Sequence, residues 1–442
     1  MAQEIAEHVL RKVTALGADS ADLVFVQQTQ LTVAQRLGKV EKSQRAEASA
    51  LSVRAFVGQR QAIVSTSDVS RDALDLVAAR AVEMARAVPE DPYCGLADPR
   101  DLAREFPEIE SADPIEPAQE TLGRWAKDAE ESALAESGIT NSEGAECGWT
   151  SLVTSLANSA GFWGESRTTR YGLSVSVIAG EGTAMEVDGD YASAVYATDL
   201  EDPVTLGKSA ARRALRKLNP RKISSGRMPV VFDARVASSL LGHFAGAING
   251  SAVARGASFL KDRMKSEVFA PAVTIVDDPL RRRGLGSATF DGEGLPMRPL
   301  VLVENGVLQH WLLDCRSARQ LGLYSNGRAH RGMGSAPLPG ATNLYMQAGE
   351  RGPEDLLSGI REGLFVTDLI GFGVNAVTGD YSRGASGHLI ENGQIGPAVA
   401  EITIAGNLRD MFMHTIPAND LKFRYRTNAP TLLVEGMTVA GR

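Results

Sequence analysis

Residues 232–250 read F-D-A-R-V-A-S-S-L-L-G-H-F-A-G-A-I-N-G. Val230, Val231 and Phe232 form a short apolar run that predicts a strand, and Asp233 stands where a helix N-cap belongs. Val236, Leu240 and Phe244 then recur at helical spacing, and Asn249-Gly250 is a stop signal. His243 falls in the last third of this helix. A zinc-protease helix of the H-E-x-x-H kind needs a second imidazole and a glutamate to activate water. Here Phe244 follows His243, and the next ligand positions are Ala247 and Ile248. If this frame once served a metal, the chemistry is gone.

Beyond this helix the chain turns predominantly β. Asn305-Gly306 lies inside L-V-E-N-G-V-L and Asn392-Gly393 inside L-I-E-N-G-Q-I, two strong hairpin signals. Gly334–Gly340 reads as a loop, Pro353–Arg361 as a short helix and Gly371–Gly387 as a glycine-dense stretch serving bends and bulges. A closed or strongly curved antiparallel sheet is expected. Its edges would receive an extended peptide as an added strand. Gly371–Ala376 fits G-x-G-x-x-A, but the residues after it are too glycine-rich for the helix a dinucleotide needs. Ser258-Phe259-Leu260-Lys261 fits S-x-x-K without its companion motifs and reads as a surface helical turn. No two of the six histidines stand at ligand spacing on one element. His310, Leu312 and Asp314 share one face of an expected strand, and only folding can bring His243 to His388.

Working backward, Ile5, Val9, Val13 and Leu16 mark a helix stopped by Gly17, Leu23–Val26 a buried strand, and residues 48–66 a hairpin around Gly58-Gln59. Ser70 caps a second helix. Six of the chain's 19 prolines fall in residues 89–117, which makes that segment a connection. A helix at about 118–136 precedes short strands. Asn141–Gly144 and Asn158–Gly161 are both N-S-x-G turns. Glu186, Asp188 and Asp190 lack a calcium ladder and read as solvated strand-end carboxylates, and a basic helix follows at about 203–218. The expected organisation is an N-terminal α+β unit (1–88), a Pro-rich connection (89–117), a helix and hairpin unit completing the N-terminal half (118–222) and a β-rich domain (223–442). The fold class is α+β.

Composition fits a soluble globular chain: 43% hydrophobic and 23% charged residues over 442 positions. A net charge of −8 argues against nucleic acid as the main partner, and Arg281-Arg282-Arg283 reads as a solvated turn. Cys94, Cys147 and Cys315 are odd in number and widely spaced, which suits reduced thiols. The first ten residues have no apolar core of a signal peptide, and no run spans a membrane, so a cytoplasmic protein is expected.

The segment L-L-G-H-F-A-G-A-I-N-G, followed by G-A-S-F-L-K-D, resembles the PmbA (TldE) branch of the TldD/PmbA family. So do G-D-Y-S-R-G-A-S-G, E-I-T-I-A-G-N-L-R-D-M and P-T-L-L-V-E-G-M-T-V-A-G near the C-terminus. The resemblance covers essentially the whole chain. In that family TldD carries H-E-x-x-x-H, a later cysteine and the zinc. On this sequence the first histidine falls on His243, the glutamate on Phe244 and the second histidine on Ile248. The cysteine has no counterpart, because Cys315 is the last one and lies far upstream. The resemblance therefore implies a non-catalytic subunit with no cofactor of its own. Zinc would sit only in a TldD-like partner, and the substrates would be unfolded peptides. Produced alone, the chain is expected to form a homodimer. Two further classes remain open: a regulatory interaction protein of the DNA gyrase modulator type, and a self-sufficient hydrolase using Ser258 and Lys261 or a dispersed site.

Overall fold

The computed structural model describes residues 1–441. The N-terminal half is built on strands far longer than the apolar runs that signal them. Helix α1 (Ala2–Ala15) leads into β1 (Ser20–Arg36), β2 (Lys39–Val57) and β3 (Arg60–Thr66), and α2 (Arg71–Ala87) follows. The β1–β2 turn uses Leu37 and Gly38, both at positive φ (48° and 74°) as a tight hairpin requires. The Pro-rich connection carries neither helix nor strand. After it come α3 (Gln119–Leu134), β4 (Ile139–Asn158), β5 (Trp163–Ala179), β6 (Glu186–Ala194) and α4 (Pro203–Arg216).

All six strands form one antiparallel sheet in the order β3-β2-β1-β4-β5-β6. The long β1–β4 pairing, Asp22↔Asn158 to Gln35↔Ala145, joins the units on either side of the connection. Alternate residues of β4 and β5 (Ala145, Cys147, Trp149; Tyr171, Leu173, Val175) are buried under α3 and α4. Asn141–Gly144 is not a turn. It lies within β4, where the register shifts and Gly144 at φ 113° takes up a bulge. Asn158–Gly161 does make the β4–β5 turn, with the Asn158 side chain accepting from the Ala160 and Phe162 amides.

The C-terminal half begins with β7 (Gly226–Phe232) and α5 (Ala234–Ala247). Strands β8 (Glu362–Ile370), β9 (Asp380–Glu391), β10 (Gln394–Asn407) and β11 (Leu432–Ala440) complete a closed five-stranded barrel, β10 pairing back onto β11 through Ile404↔Val439. Closure occurs as expected, but the sheet is not purely antiparallel. Residues 364–366 of β8 run parallel to 230–232 of β7, and the intervening chain forms the long crossover such a pair needs. Closure pairs both sides of the ring, so the long free edges are β3 and β6 of the N-terminal sheet, with shorter edges at Thr415–Pro417 beside β11 and in the smaller sheet that the crossover forms. Inside the crossover, Ile275–Asp277, Leu300–Glu304, Val307–Leu308 and Leu344–Met346 join Thr427–Asn428 in a second five-stranded sheet. Asn305-Gly306 (φ 48° and 82°) and Asn392-Gly393 (φ 50° and 80°) make the two expected hairpin turns. The glycine-dense stretch splits into a loop up to Gly379 and the start of β9.

Candidate functional site

Helix α5 forms where the spacing places it. The Asp233 side chain accepts from the Arg235 amide at 2.9 Å, capping the helix. Ala237, Leu240, Leu241, Phe244 and Ala247 are buried along one stripe. Asn249 ends α5 and also starts a second short helix, Gly250–Ala254, by accepting from the amides of Ser251 and Ala252. A side chain at Gly250 would meet the Leu312 carbonyl at 2.7 Å, so the close approach demands glycine.

Phe244 and Ile248 have no solvent exposure. The Phe244 ring meets Phe269 edge-on at 5.2 Å and Phe412 at 6.3 Å, and those two rings stack at 4.3 Å. Ile248 packs into the same core, and its carbonyl accepts from the Leu312 amide at 3.0 Å. His243 stands one face away, half-buried, with its ring edge-on to Tyr381 at 5.9 Å. Its Nε2 and the Tyr381 hydroxyl are both buried without a hydrogen-bond partner among the described residues. Burial, then the Arg383 guanidinium, hold the imidazole below its ordinary value, so it is neutral near pH 7. A metal needs several converging donors. Here one imidazole faces a phenol, the neighbouring helix positions carry only hydrocarbon, and no three His, Cys, Asp or Glu side chains converge among the described residues. These residues do not fit a zinc ion.

The other candidates disperse. The Ser258 hydroxyl is buried and donates to the Ala247 carbonyl, whereas Lys261 is exposed. Asp314 is not on a strand with His310; it N-caps the helix Cys315–Leu321. The G-x-G-x-x-A segment is followed by β9 rather than a helix. Arg281–Arg283 does lie at an exposed turn, with the Arg282 side chain 72% exposed, but its cations are engaged. Arg282 and Arg283 pair with Glu110 of the Pro-rich connection, Arg283 also reaches Asp199, and Arg281 lies over the Phe423 ring.

Two polar clusters escaped sequence reading. Asp188 and Asp190 are buried, not solvated, because α4 and the barrel close over β6. Lys217, just past α4, donates to Asp188 at 2.8 Å and Asp368 of β8 at 3.2 Å. Asp190 accepts from Ser209 at 2.6 Å. Beside them a cavity of about 190 Å³ is lined by Arg212, Arg213, Arg216 and Lys217 on one side and Thr367 and His388 on the other. The signal was there: acids two apart on a strand, then cations four apart on the next helix. In the second cluster Asp22 of β1 accepts from Arg54, its cross-strand neighbour on β2, and lies 2.6 Å from Arg331 of the C-terminal half. Burial pushes Asp22 up, but Arg331 and Arg54 outweigh it and hold the carboxyl below its ordinary value.

Among the described residues no helix is long and apolar enough to cross a membrane. Three family profiles match in succession: PmbA/TldA metallopeptidase domain 1 over residues 21–85, the central domain over 104–218 and the C-terminal domain over 225–441. Metalloprotease PmbA of Escherichia coli O157:H7 is 36% identical over 428 residues, 96% of this chain and 93% of that protein. A metalloprotease TldD homologue of Haemophilus influenzae is 31% identical over 224 residues, 50% of this chain and 44% of that one. A proposed modulator of DNA gyrase from Bacteroides thetaiotaomicron, solved by crystallography, superposes with a TM-score of 0.91 at 27% identity, covering 100% of this chain and 99% of that one. The three profiles in succession and the 36% identity over 96% of this chain agree: the chain belongs to the PmbA/TldD family.

Proposed function

We propose that this chain is the non-catalytic subunit of a two-chain peptidase acting on unfolded peptides, with the metal and the hydrolytic step supplied by a TldD-like partner. The observation that carries the reading is the burial of Phe244 and Ile248. The positions that would hold a general base and a second ligand are apolar core, where a polar side chain would be buried among hydrocarbon. The whole-length similarity to PmbA, against half-length similarity to a TldD homologue, supports the same branch. In this role the chain walls the reaction space and limits access to it, in the cytoplasm.

Co-expression with the cognate TldD-like chain tests the reading. The expected result is a stable heterodimer that cleaves unfolded peptides, with neither chain active alone. Its interface should bury at least about 1,200 Å² in total. Without the partner, a homodimer is expected through the same surface. A chain that ignores the partner, or that cleaves peptides unaided, overturns the proposal.

A further inference from the structure

The cavity beneath α4 is independent of the proposed partner role. Arg212, Arg213, Arg216 and Lys217 place two like-charged pairs at i,i+4, an arrangement that by itself opposes the helix. Lys217 is compensated by Asp188 and Asp368. Arg212 and Arg216, both exposed at the cavity rim, have no such carboxylate among the described residues. Arg213 is compensated only in part: its Nε forms an ion pair with Asp190 at 3.6 Å but is buried without a hydrogen-bond partner among the described residues. Arg212 donates only to the Lys208 carbonyl of its own helix, at 3.2 Å. Arg216 makes no ion pair within 4.0 Å and no side-chain hydrogen bond among the described residues.

Two carboxylates also line the cavity, and both are committed: Asp188 serves Lys217 and faces Arg235, and Asp233 caps α5, while Asp190 beside them pairs with Arg213. Across the cavity, His388 is buried and presents an imidazole held neutral by burial and the Arg216 charge. Arginine near a helix C-terminus is favoured by the helix dipole. That explains why Arg213 and Arg216 stand in the last turn. It does not explain why three guanidinium groups surround one cavity, or why a buried guanidinium nitrogen lacks a hydrogen-bond partner.

Planar guanidinium forks match the oxygens of phosphate and carboxylate groups. At about 190 Å³ the space is smaller than the roughly 300 Å³ where cofactor-sized sites begin. We propose that this cavity binds a small, multiply charged oxyanion of the phosphate or polycarboxylate class, held between α4 and the barrel strands β8 and β9. Such a ligand relieves the repulsion along α4 and ties the two halves of the chain together.

Isothermal titration of the full-length chain with inorganic phosphate, and separately with citrate, tests this. Sodium chloride at matched ionic strength is the control, because screening alone weakens the repulsion. Saturable binding of either anion, with a raised melting temperature over the chloride control, is expected; which one binds tells the two sources apart. Arg213→Ala and Arg216→Ala should each weaken binding roughly ten- to a hundredfold, the loss of a charge-assisted hydrogen bond. Arg11→Ala, on the distant α1, should leave it unchanged. Arg216 is exposed and has no ion-pair or side-chain hydrogen-bond partner among the described residues, so Arg216→Ala remains a test even if Arg213→Ala fails to fold. No saturable binding of either anion, or wild-type affinity in Arg216→Ala, overturns the proposal.

Discussion

Helices α5 and α4 both carry residues that suggest chemistry, and they turn them in opposite directions. In α5 the positions after His243 point inward and are hydrocarbon, so the helix is anchored by Phe244 among Phe269 and Phe412. In α4 the last turns carry cations to the rim of a polar cavity, with Arg213 and Lys217 turned toward buried Asp190 and Asp188. Spacing alone assigns residues to a face. Whether that face meets an apolar core or an opposing charge depends on strands distant in sequence, and that decides which helix can still bind anything.

The largest break in this comparison is Phe244→Glu, which restores the carboxylate of a metal-protease helix. A buried carboxylate without a partner, added to the loss of a core aromatic, should cost more than about 5 kcal/mol. Chemical denaturation, or loss of soluble protein, reads it; a variant of near wild-type stability would show that position 244 has room for a polar group. Next is Asp188→Asn on the α4 side, which leaves Lys217 with Asp368 alone and takes the ion-pair partner from Arg235. Because both cations reach solvent, the cost should be about 2–3 kcal/mol, below that of a fully enclosed pair.

That pair also sets an alkaline limit. Burial lowers the Lys217 pKa, but Asp188 and Asp368 outweigh it and raise it above the ordinary value. A raised lysine contributes stability that is complete below its unfolded pKa of about 10.4 and lost as pH climbs through the folded value. Lys217→Met should flatten that alkaline loss in unfolding curves. The smallest effect belongs to His243→Ala, at about 1 kcal/mol or less, since the ring makes no hydrogen bond. Its lowered pKa means stability falls as pH drops below about 6.5 toward the folded value. The alanine variant should lose less stability on that acid side, and in the complex it should cleave peptides at the wild-type rate.

Much of the fold was legible because local chemistry specified it. The two E-N-G turns, the cap at Asp233 and the helical spacing of Val236, Leu240 and Phe244 each act within a few residues. What failed was non-local or ambiguous. Lys39–Glu47 is exposed on both faces, so the outer part of β2 has no alternation to detect. Asn141–Gly144 has turn composition, yet the same glycine serves a bulge once β5 pairs alongside. The parallel β7–β8 contact joins segments more than 130 residues apart. At the site, the loss of ligands at 244 and 248 was readable from spacing, but the aromatic cluster around Phe244 was not. Asp188 and Asp190 were misread because the complementary cations sit on the next helix, and only folding brings α4 over β6.

The zinc content of the isolated full-length chain tests most directly whether α5 holds a metal. After removal of affinity tags and exhaustive dialysis, elemental analysis should find no stoichiometric zinc. About one zinc retained per chain, lost on His243→Ala, would mean that α5 does hold a metal.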